Sequence, residues 1–319
     1  MAAVVSLGSI NVDRVQYLTA GEIAELEDRY DWFPEPGATV KIDGIPEELE
    51  RRPYRNFMGG KGANQAVAAS RAGAETTLLG KVGTDQTDYD VLGSLKRSGV
   101  RIDHVGVSDV ETGKAYIYVD EGGENWIGVI EGANGEVDPD YVDRQFDRIC
   151  APDCLLLQNE IPLRTLDYLL ERLDSTADRP SIIFDPAPVE GAETLLDHES
   201  LDIVVPNENE YAALEDALRT FDGTIINTRS AKEIVVKTTD GDSFTITPPD
   251  VDAVDATGAG DVFDGYLAAT LAEGEPLREA VEIASVAASL STLAEGAQDA
   301  IPTREEVSGS LLRSGVSSD

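Results

Sequence analysis

Ala2-Ala3-Val4-Val5-Ser6-Leu7-Gly8-Ser9-Ile10 is a nearly continuous apolar run, the pattern of a parallel β-strand buried on both faces. Comparable short runs recur at residues 77–82, 154–158, 181–185, 202–206 and 234–237. Helix-period stretches lie between them at 63–72, 88–98, 162–173 and 208–218. This alternation predicts an α/β fold, a doubly wound and mostly parallel sheet flanked by helices. Two regions break the rhythm. Residues 14–57 are long and mixed, and residues 114–130 alternate around Gly122-Gly123, which reads as a β-hairpin with one wet face. Together they are expected to form a small β lid over the strand ends, where open α/β sheets keep their ligands. The expected division is a core of residues 1–13, 58–110 and 132–307, a lid of 14–57 and 111–131, and a Ser-rich tail, 308–319, that frays.

Composition narrows the function classes. The 319 residues carry 25 Lys plus Arg against 61 Asp plus Glu, a net charge of −36, with 41% hydrophobic residues. That is enough apolar material for a large core, so disorder is not expected. Acidic charge spread along the whole chain repels nucleic acid and anionic membranes, and neither is an expected partner. Of the 25 cations only 7 are lysine, a balance suited to a concentrated-salt cytoplasm where screening relieves self-repulsion. The opening MAAVVSLGSI has no basic stretch before its short apolar run, so a cytoplasmic location is expected. Two cysteines, Cys150 and Cys154, and two histidines, His104 and His198, leave carboxylates and backbone dipoles to carry any chemistry.

Three motifs fit that requirement. Asp255-Ala256-Thr257-Gly258-Ala259-Gly260-Asp261 is a small-residue turn feeding a helix whose Val262, Phe263, Tyr266, Leu267 and Leu271 share one face. Free N–H groups of Gly258, Ala259 and Gly260, with the helix dipole, would form an anion hole for a phosphoryl group. Asp261 at its edge could take the proton of an attacking alcohol. Alone, the string reads more readily as an ordinary Asp capping a helix after a glycine turn. Gly59-Gly60-Lys61-Gly62-Ala63-Asn64 opens a second helix of small residues, where a ligand can approach the backbone or a sheet can pack tightly. No P-loop and no dinucleotide fingerprint occurs. Asn11 and Asp13 stand two residues apart beyond the first strand, an acceptor beside a donor–acceptor that suits vicinal diols, or a solvated turn.

In this order and spacing the motifs resemble the PfkB family of carbohydrate kinases, its ribokinase-like members most of all. Further similar strings occur at 123–128 (GENWIG), 132–134 (GAN), 158–162 (QNEIP), 185–188 (DPAP), 206–210 (PNENE) and 296–298 (GAQ), so the resemblance spans roughly residues 4–303. It implies an ATP-dependent kinase acting on a primary hydroxyl of a pentose or pentose-like sugar, with Mg²⁺, and with a lid that often pairs with that of a second subunit. It implies Asp261 as catalytic base and Gly258, Ala259 and Gly260 as the anion hole. Asn11, Asp13, Gly60, Lys61, Asn64 and Glu160 fall on sugar-contacting positions. Asn207 and Glu210 match an Asn-x-x-Glu element that organises Mg²⁺, water and nucleotide phosphates. Asp255 and the Thr257 carbonyl, with backbone near Ser291, Ala294, Gly296 and Ala300, match a monovalent-cation site, which implies K⁺ activation.

Two departures stand out. The nucleotide loop of such enzymes has the form Thr-x-Gly-x-x-Gly, and here the alignment gives Thr228-Arg229-Ser230-Ala231-Lys232-Glu233, with Thr228, Ser230 and Lys232 as the expected contacts and neither glycine. The first half of the lid also looks longer by more than ten residues. It carries Arg51, Arg52 and Arg55, which either clamp an anionic group on the substrate or neutralise Glu47, Glu48 and Glu50 on a solvated helix. A clamp would make the substrate a sugar phosphate such as ribose 1-phosphate, and nucleosides are further candidates. The alternative outside enzymes is a sugar- or nucleotide-binding regulator on a kinase scaffold.

Overall fold

A computed structural model describes residues 2–36 and 39–314. Its main sheet has eight strands in the order Ser243–Ile246, Ile234–Lys237, Thr224–Asn227, Ile203–Val204, Ser181–Asp185, Cys154–Gln158, Ala3–Leu7 and Glu75–Leu79. The six strands from Thr224–Asn227 to Glu75–Leu79 are parallel, and the two at the other edge are antiparallel. Glu75–Leu79 lies on one side of Ala3–Leu7 and Cys154–Gln158 on the other. The winding therefore reverses at the first strand, which leaves a crevice beyond its carboxyl end.

Burial on both faces explains the continuous apolar runs. Val4, Leu78, Leu156, Ile183 and Ile226 pack with the helices Lys61–Arg71, Ala259–Ala272 and Leu277–Ser291. Val5, Leu7, Leu155, Leu157, Ile182 and Phe184 pack on the opposite face with Pro139–Ile149 and Leu163–Asp174. Each such side chain contributes about 1.5–3 kcal/mol by leaving water.

Four expectations change. The 77–82 run is two strands, because at Gly80 the chain passes so close to Gly8 that a Cβ would lie 2.6 Å from its carbonyl oxygen. Lys81–Gly83 then turns away to pair with Gly106–Ser108. The 208–218 stretch is two short helices, Glu208–Ala213 and Glu215–Leu218. The Ala259–Ala272 helix has no single apolar face: Asp261 to Thr270 are all buried, and a Cβ on Gly265 would sit 2.5 Å from the Ala68 Cβ. Finally, residues 308–314 continue the helix Arg304–Ser314 instead of fraying. Thr303 and Glu306 cap that helix reciprocally, and buried Val307 anchors it. Residues 315–319 lie outside the described residues.

The two irregular regions meet in a second sheet, ordered Thr39–Lys41, Asn125–Ile130, Gly113–Val119, Asn11–Tyr17 and Arg55–Gly59. The hairpin read at 114–130 is its centre. The long first segment has a structural use, since Ile23 and Leu26 of the helix Ala20–Arg29, with Leu49, bury Tyr116, Tyr118 and Trp126. Arg14 is held between the Tyr54 and Tyr116 rings, 4.4 and 5.2 Å from their centroids. The apolar side chains of this sheet are thus covered by the chain's own Ile23, Leu26 and Leu49.

Candidate active site

The Ala259–Ala272 helix begins after Gly258, whose φ of +76° is a conformation glycine adopts without strain. Its first bond runs from the Val262 N–H to the Gly258 carbonyl, 2.9 Å. The Ala259 N–H, expected in the anion hole, instead donates to the Ala256 carbonyl at 3.2 Å as the turn closes on itself. Among the described residues the N–H groups of Gly258, Gly260 and Asp261 have no acceptor. A Cβ on Gly260 would meet nothing within 4 Å, so open space faces these donors at the positive end of the helix. A phosphoryl group fits that cradle.

Asp261 lies in the first turn, 4% exposed, and does not cap the helix. One carboxylate oxygen accepts from Asn64 Nδ2 at 2.9 Å; the other is 3.6 Å from Lys61 Nζ and 3.4 Å from Gln65 Nε2. Burial pushes its pKa up to about 6; Lys61 and Asn64 pull the other way, and Asp185 and Glu160 add to the rise. A carboxylate so tuned is ionised at neutral pH yet a stronger base than a free one. Lys61, expected on the sugar, has its ammonium on Asp185 at 2.9 Å and beside Asp261. Burial alone would lower its pKa, but Asp185, Asp261, Glu160 and Glu210 hold it well above the ordinary value.

Sequence reading left Asp185, Gln65 and Asp264 without a role, although Asp185 stands in the noted DPAP string. Asp185 ends its strand at the crevice and is 4% exposed. Gln65 Nε2 also reaches Asp185 at 3.2 Å and Asp264 at 3.1 Å, while its Oε1 accepts from Gln158 Nε2 at 2.6 Å. Asp264 is 2% exposed, and burial followed by Asp185 and Asp261 raises its pKa well above the usual range.

The sugar-facing positions converge on the same crevice. Asn11 and Asp13 open the Asn11–Tyr17 strand on one face and are 4% and 9% exposed. Asn11 Oδ1 accepts from Asn134 Nδ2 at 2.7 Å. Gly59 leaves room for Asp13, since a Cβ there would lie 2.2 Å from its carboxylate, and Gly60 at φ +88° passes against Ser9, Ile10 and Asn11. Glu160 accepts from the Ser9 hydroxyl and, at 3.2 Å, from the Lys61 N–H. Asn64 Oδ1 accepts from Gln298 Nε2 at 3.0 Å.

Burial, followed by Glu160 and Asp261, raises Asp13 from an ordinary 3.8 to about 7. The folded chain then holds this proton where the unfolded chain has lost it. The resulting penalty is absent below about pH 4 and complete above about pH 7, where it amounts to about 2–4 kcal/mol. Asp13→Asn is therefore expected to melt higher than the parent at pH 8, with the gain shrinking toward pH 5, while sugar KM rises by about 10². Melting curves at both pH values and sugar saturation kinetics check this; a variant melting lower at pH 8 contradicts it.

On the other side of Asp261, Asn207 and Glu210 form a reciprocal helix cap: Asn207 Oδ1 accepts from the Glu210 N–H at 2.9 Å, and Glu210 accepts from the Asn207 N–H at 2.8 Å. Burial and Asp185 push Glu210 up to about 7. Thr228 bridges to Asn207, so the expected nucleotide loop does border this element. Ser230 keeps a φ of +52°, the backbone conformation a glycine would supply. Lys232 Nζ is held by Glu208 at 2.7 Å.

Asp255 accepts from the Thr257 N–H at 2.9 Å and the Gly296 N–H at 3.1 Å. Burial works against these bonds, yet they hold its carboxyl below the usual range. The carbonyls of Thr257, Ser291, Ala294 and Ala300 accept no hydrogen bond among the described residues, whereas that of Gly296 accepts from Ala300. Unused carbonyls and a carboxylate are the donor set a monovalent cation takes. The arginines do not converge: Arg51 pairs with Glu47 on the short solvated helix, and Arg55 lies 3.3 Å from Glu295 and over the Phe57 ring. No ion pair holds Arg52 among the described residues.

A buried carboxylate in the first turn of a helix whose N-terminal amides are free, at the reversal point of a doubly wound sheet with a small β sheet beside it, is the construction of an enzyme that moves a phosphoryl group to an alcohol. The chain belongs to the pfkB family of carbohydrate kinases, whose sequence model matches residues 38–304. It is 38% identical over 263 residues to ribokinase of Bacillus subtilis, covering 80% of this chain and 87% of that one. Among solved structures it is similar to Thermotoga maritima ribokinase, with a TM-score of 0.77, 30% identity and coverage of 98% and 99%. It is also similar to Arabidopsis thaliana ribokinase complexed with ribose and ATP, with a TM-score of 0.73, 25% identity and 97% coverage of each chain. The fold is therefore ribokinase-like and the protein a phosphotransferase with an alcohol acceptor.

Proposed function

We propose that this chain is an ATP-dependent pentose kinase that transfers the terminal phosphoryl group to the primary hydroxyl of ribose or a closely similar sugar. The observation that carries this is Asp261, buried, held by Asn64 and set in the same first helical turn as N–H groups that have no acceptor among the described residues. Asn11 and Asp13 take the sugar's vicinal hydroxyls, with Gly60, Asn64 and Glu160 completing the site. Asp261 accepts the hydroxyl proton, and the Gly258, Gly260 and Asp261 amides stabilise charge on the migrating group. Lys61, between Asp185 and Asp261, holds these carboxylates ionised beside the sugar site. Mg²⁺, when bound, neutralises phosphate charge, and Asp185 and Glu210 are hard oxygen donors suited to it.

A free sugar is favoured over a sugar phosphate because Arg51 and Arg55 are matched by Glu47 and Glu295. K⁺ is assigned to Asp255 and the carbonyls around it, and the −36 charge suits a salt-rich cytoplasm. No helix among the described residues is long and apolar enough to cross a membrane. The test is ADP release in high KCl with ribose, ribose 1-phosphate, nucleosides and hexose phosphates. Ribose is expected to lead by about tenfold or more in kcat/KM. Binding of ribose without turnover would sink the enzymatic reading, and preference for a phosphorylated acceptor would sink the free-sugar one.

A further inference from the structure

A groove of about 960 Å³ opens at the amino ends of the main-sheet strands, the end of the sheet away from the crevice. Cys154, Ile203 and Thr224 line it as the first residues of three parallel strands. Leu271, Gly274 and Leu277 line it where the helix carrying Asp261 ends and the next begins. Six carboxylates join them, Asp153, Asp197, Glu199, Asp202, Asp222 and Glu273, but among the described residues no lysine or arginine does. Asp202 and Glu273 pair with Arg179 and Arg304. The other four have no ion-pair partner among the described residues, and His198, also in the lining, has its ring nitrogens on Asp174 and Asp167.

Two further observations point to a cationic occupant. Thr224 is 8% exposed, on the strand face it shares with Ile226 and, across the ladder, Ile203, yet its hydroxyl makes no hydrogen bond among the described residues. A buried hydroxyl left unpaired is costly, and a donor arriving in the groove would satisfy it. The helix Ala259–Ala272 has no basic residue in its last turn, and the Ala272 carbonyl accepts nothing because the residue four further on, Pro276, lacks an N–H. The negative end of that helix is thus open to a positive charge. A metal ion does not fit, since among the described residues no group of three Asp, Glu, His or Cys side chains is placed to hold one. The four free acids come instead from three separate segments, with the apolar Phe221, Leu271 and Leu277 in the same lining. Charges set apart beside apolar surface match a molecule of the same build, ammonium groups separated by methylene chains. We propose that this groove binds an aliphatic polyamine, its ammonium groups on Asp153, Asp197, Glu199, Asp222 and the end of the Ala259–Ala272 helix, and its methylenes against Phe221, Leu271 and Leu277. The Thr224 hydroxyl accepts from one ammonium. The inference does not depend on the kinase reaction or on which sugar is the acceptor.

The probe is spermidine, titrated calorimetrically into the full chain at constant ionic strength in KCl, without sugar and without nucleotide, whose phosphates would themselves bind it. A single site is expected, and spermidine about tenfold above Kd should raise the melting temperature by about 2 °C. Affinity should fall as KCl rises. Asp197→Asn/Asp222→Asn should weaken binding about tenfold or more. Glu25→Gln/Glu27→Gln removes the same charge from the exposed face of the Ala20–Arg29 helix and should change Kd by less than about twofold. Thr224→Val keeps the shape and every carboxylate and should weaken binding about three- to tenfold. Equal weakening in the two double variants would reduce the effect to general attraction by an acidic chain and overturn the proposal. Displacement of spermidine by Mg²⁺ at equal charge would overturn it too, as would no binding to the parent.

Discussion

Asp261→Asn is expected to lower kcat by about 10³, within the 10²–10⁴ that a positioned base contributes, with sugar KM changed by less than about threefold. The amide keeps the shape and an oxygen for Asn64 Nδ2, which now reaches it at 2.9 Å, so the sugar site stays assembled. What is lost is the oxygen that takes the proton. The pH profile separates this from a general loss of structure. With Asp261 pushed up to about 6, the parent's kcat/KM should fall as pH drops through that value, because the protonated form cannot act as base. The residual activity of the variant should lack that limb. Its melting temperature should not drop, since a buried negative charge has been removed. Turnover within about tenfold of the parent would remove Asp261 from the mechanism.

Lys61→Gln has the second largest expected effect, because among the described residues Lys61 is the ion-pair partner of both Asp185 and Asp261. Those acids share the crevice with Glu160, Glu210 and Asp264, all counted among their electrostatic neighbours. Without the ammonium each ionised carboxylate loses attraction and keeps its repulsions. The Asp261 limb of the pH profile should move up by about one pH unit or more. Stability at pH 8 should fall by about 2–4 kcal/mol, discounted from a fully buried pair because the Lys61 side chain is 26% exposed, and should largely return at pH 5. kcat/KM at neutral pH should drop by about 10² or more, because a larger fraction of Asp261 is protonated there and the crevice loses its cation. Lys61→Arg should restore stability but not the whole rate, since its forked head cannot occupy the same point between Asp185 and Asp261. A Lys61→Gln protein with unshifted pH profile and melting curve would show that the acids are compensated elsewhere.

Much of this site was legible in the chain because its parts are local. A turn of small residues ahead of Asp261, two glycines ahead of Lys61, and Asn11 two positions from Asp13 each specify backbone geometry within a few residues. The discrepancy at the Ala259 N–H, turned onto Ala256, is a matter of one hydrogen bond in the turn. Ser230 shows the converse: the sequence lacks the expected glycine, yet the backbone keeps a glycine-like φ of +52°.

The amino-acid sequence by itself determined the alternating sheet, the two glycine turns and the acid placed at a helix start, since periodicity, backbone freedom and helix polarity act over a turn or a strand. Tertiary structure decided which charges meet. Gln65 reaches Asp185 across 120 residues and Asp264 across 199, and Lys61 reaches Asp185 across 124. No local pattern encodes those encounters, because they follow from packing the Lys61–Arg71 and Ala259–Ala272 helices together against the sheet. A separate packing covers Tyr116, Tyr118 and Trp126 of the second sheet with the chain's own Ile23, Leu26 and Leu49, where apolar area had to leave water against whatever neighbour the fold supplied.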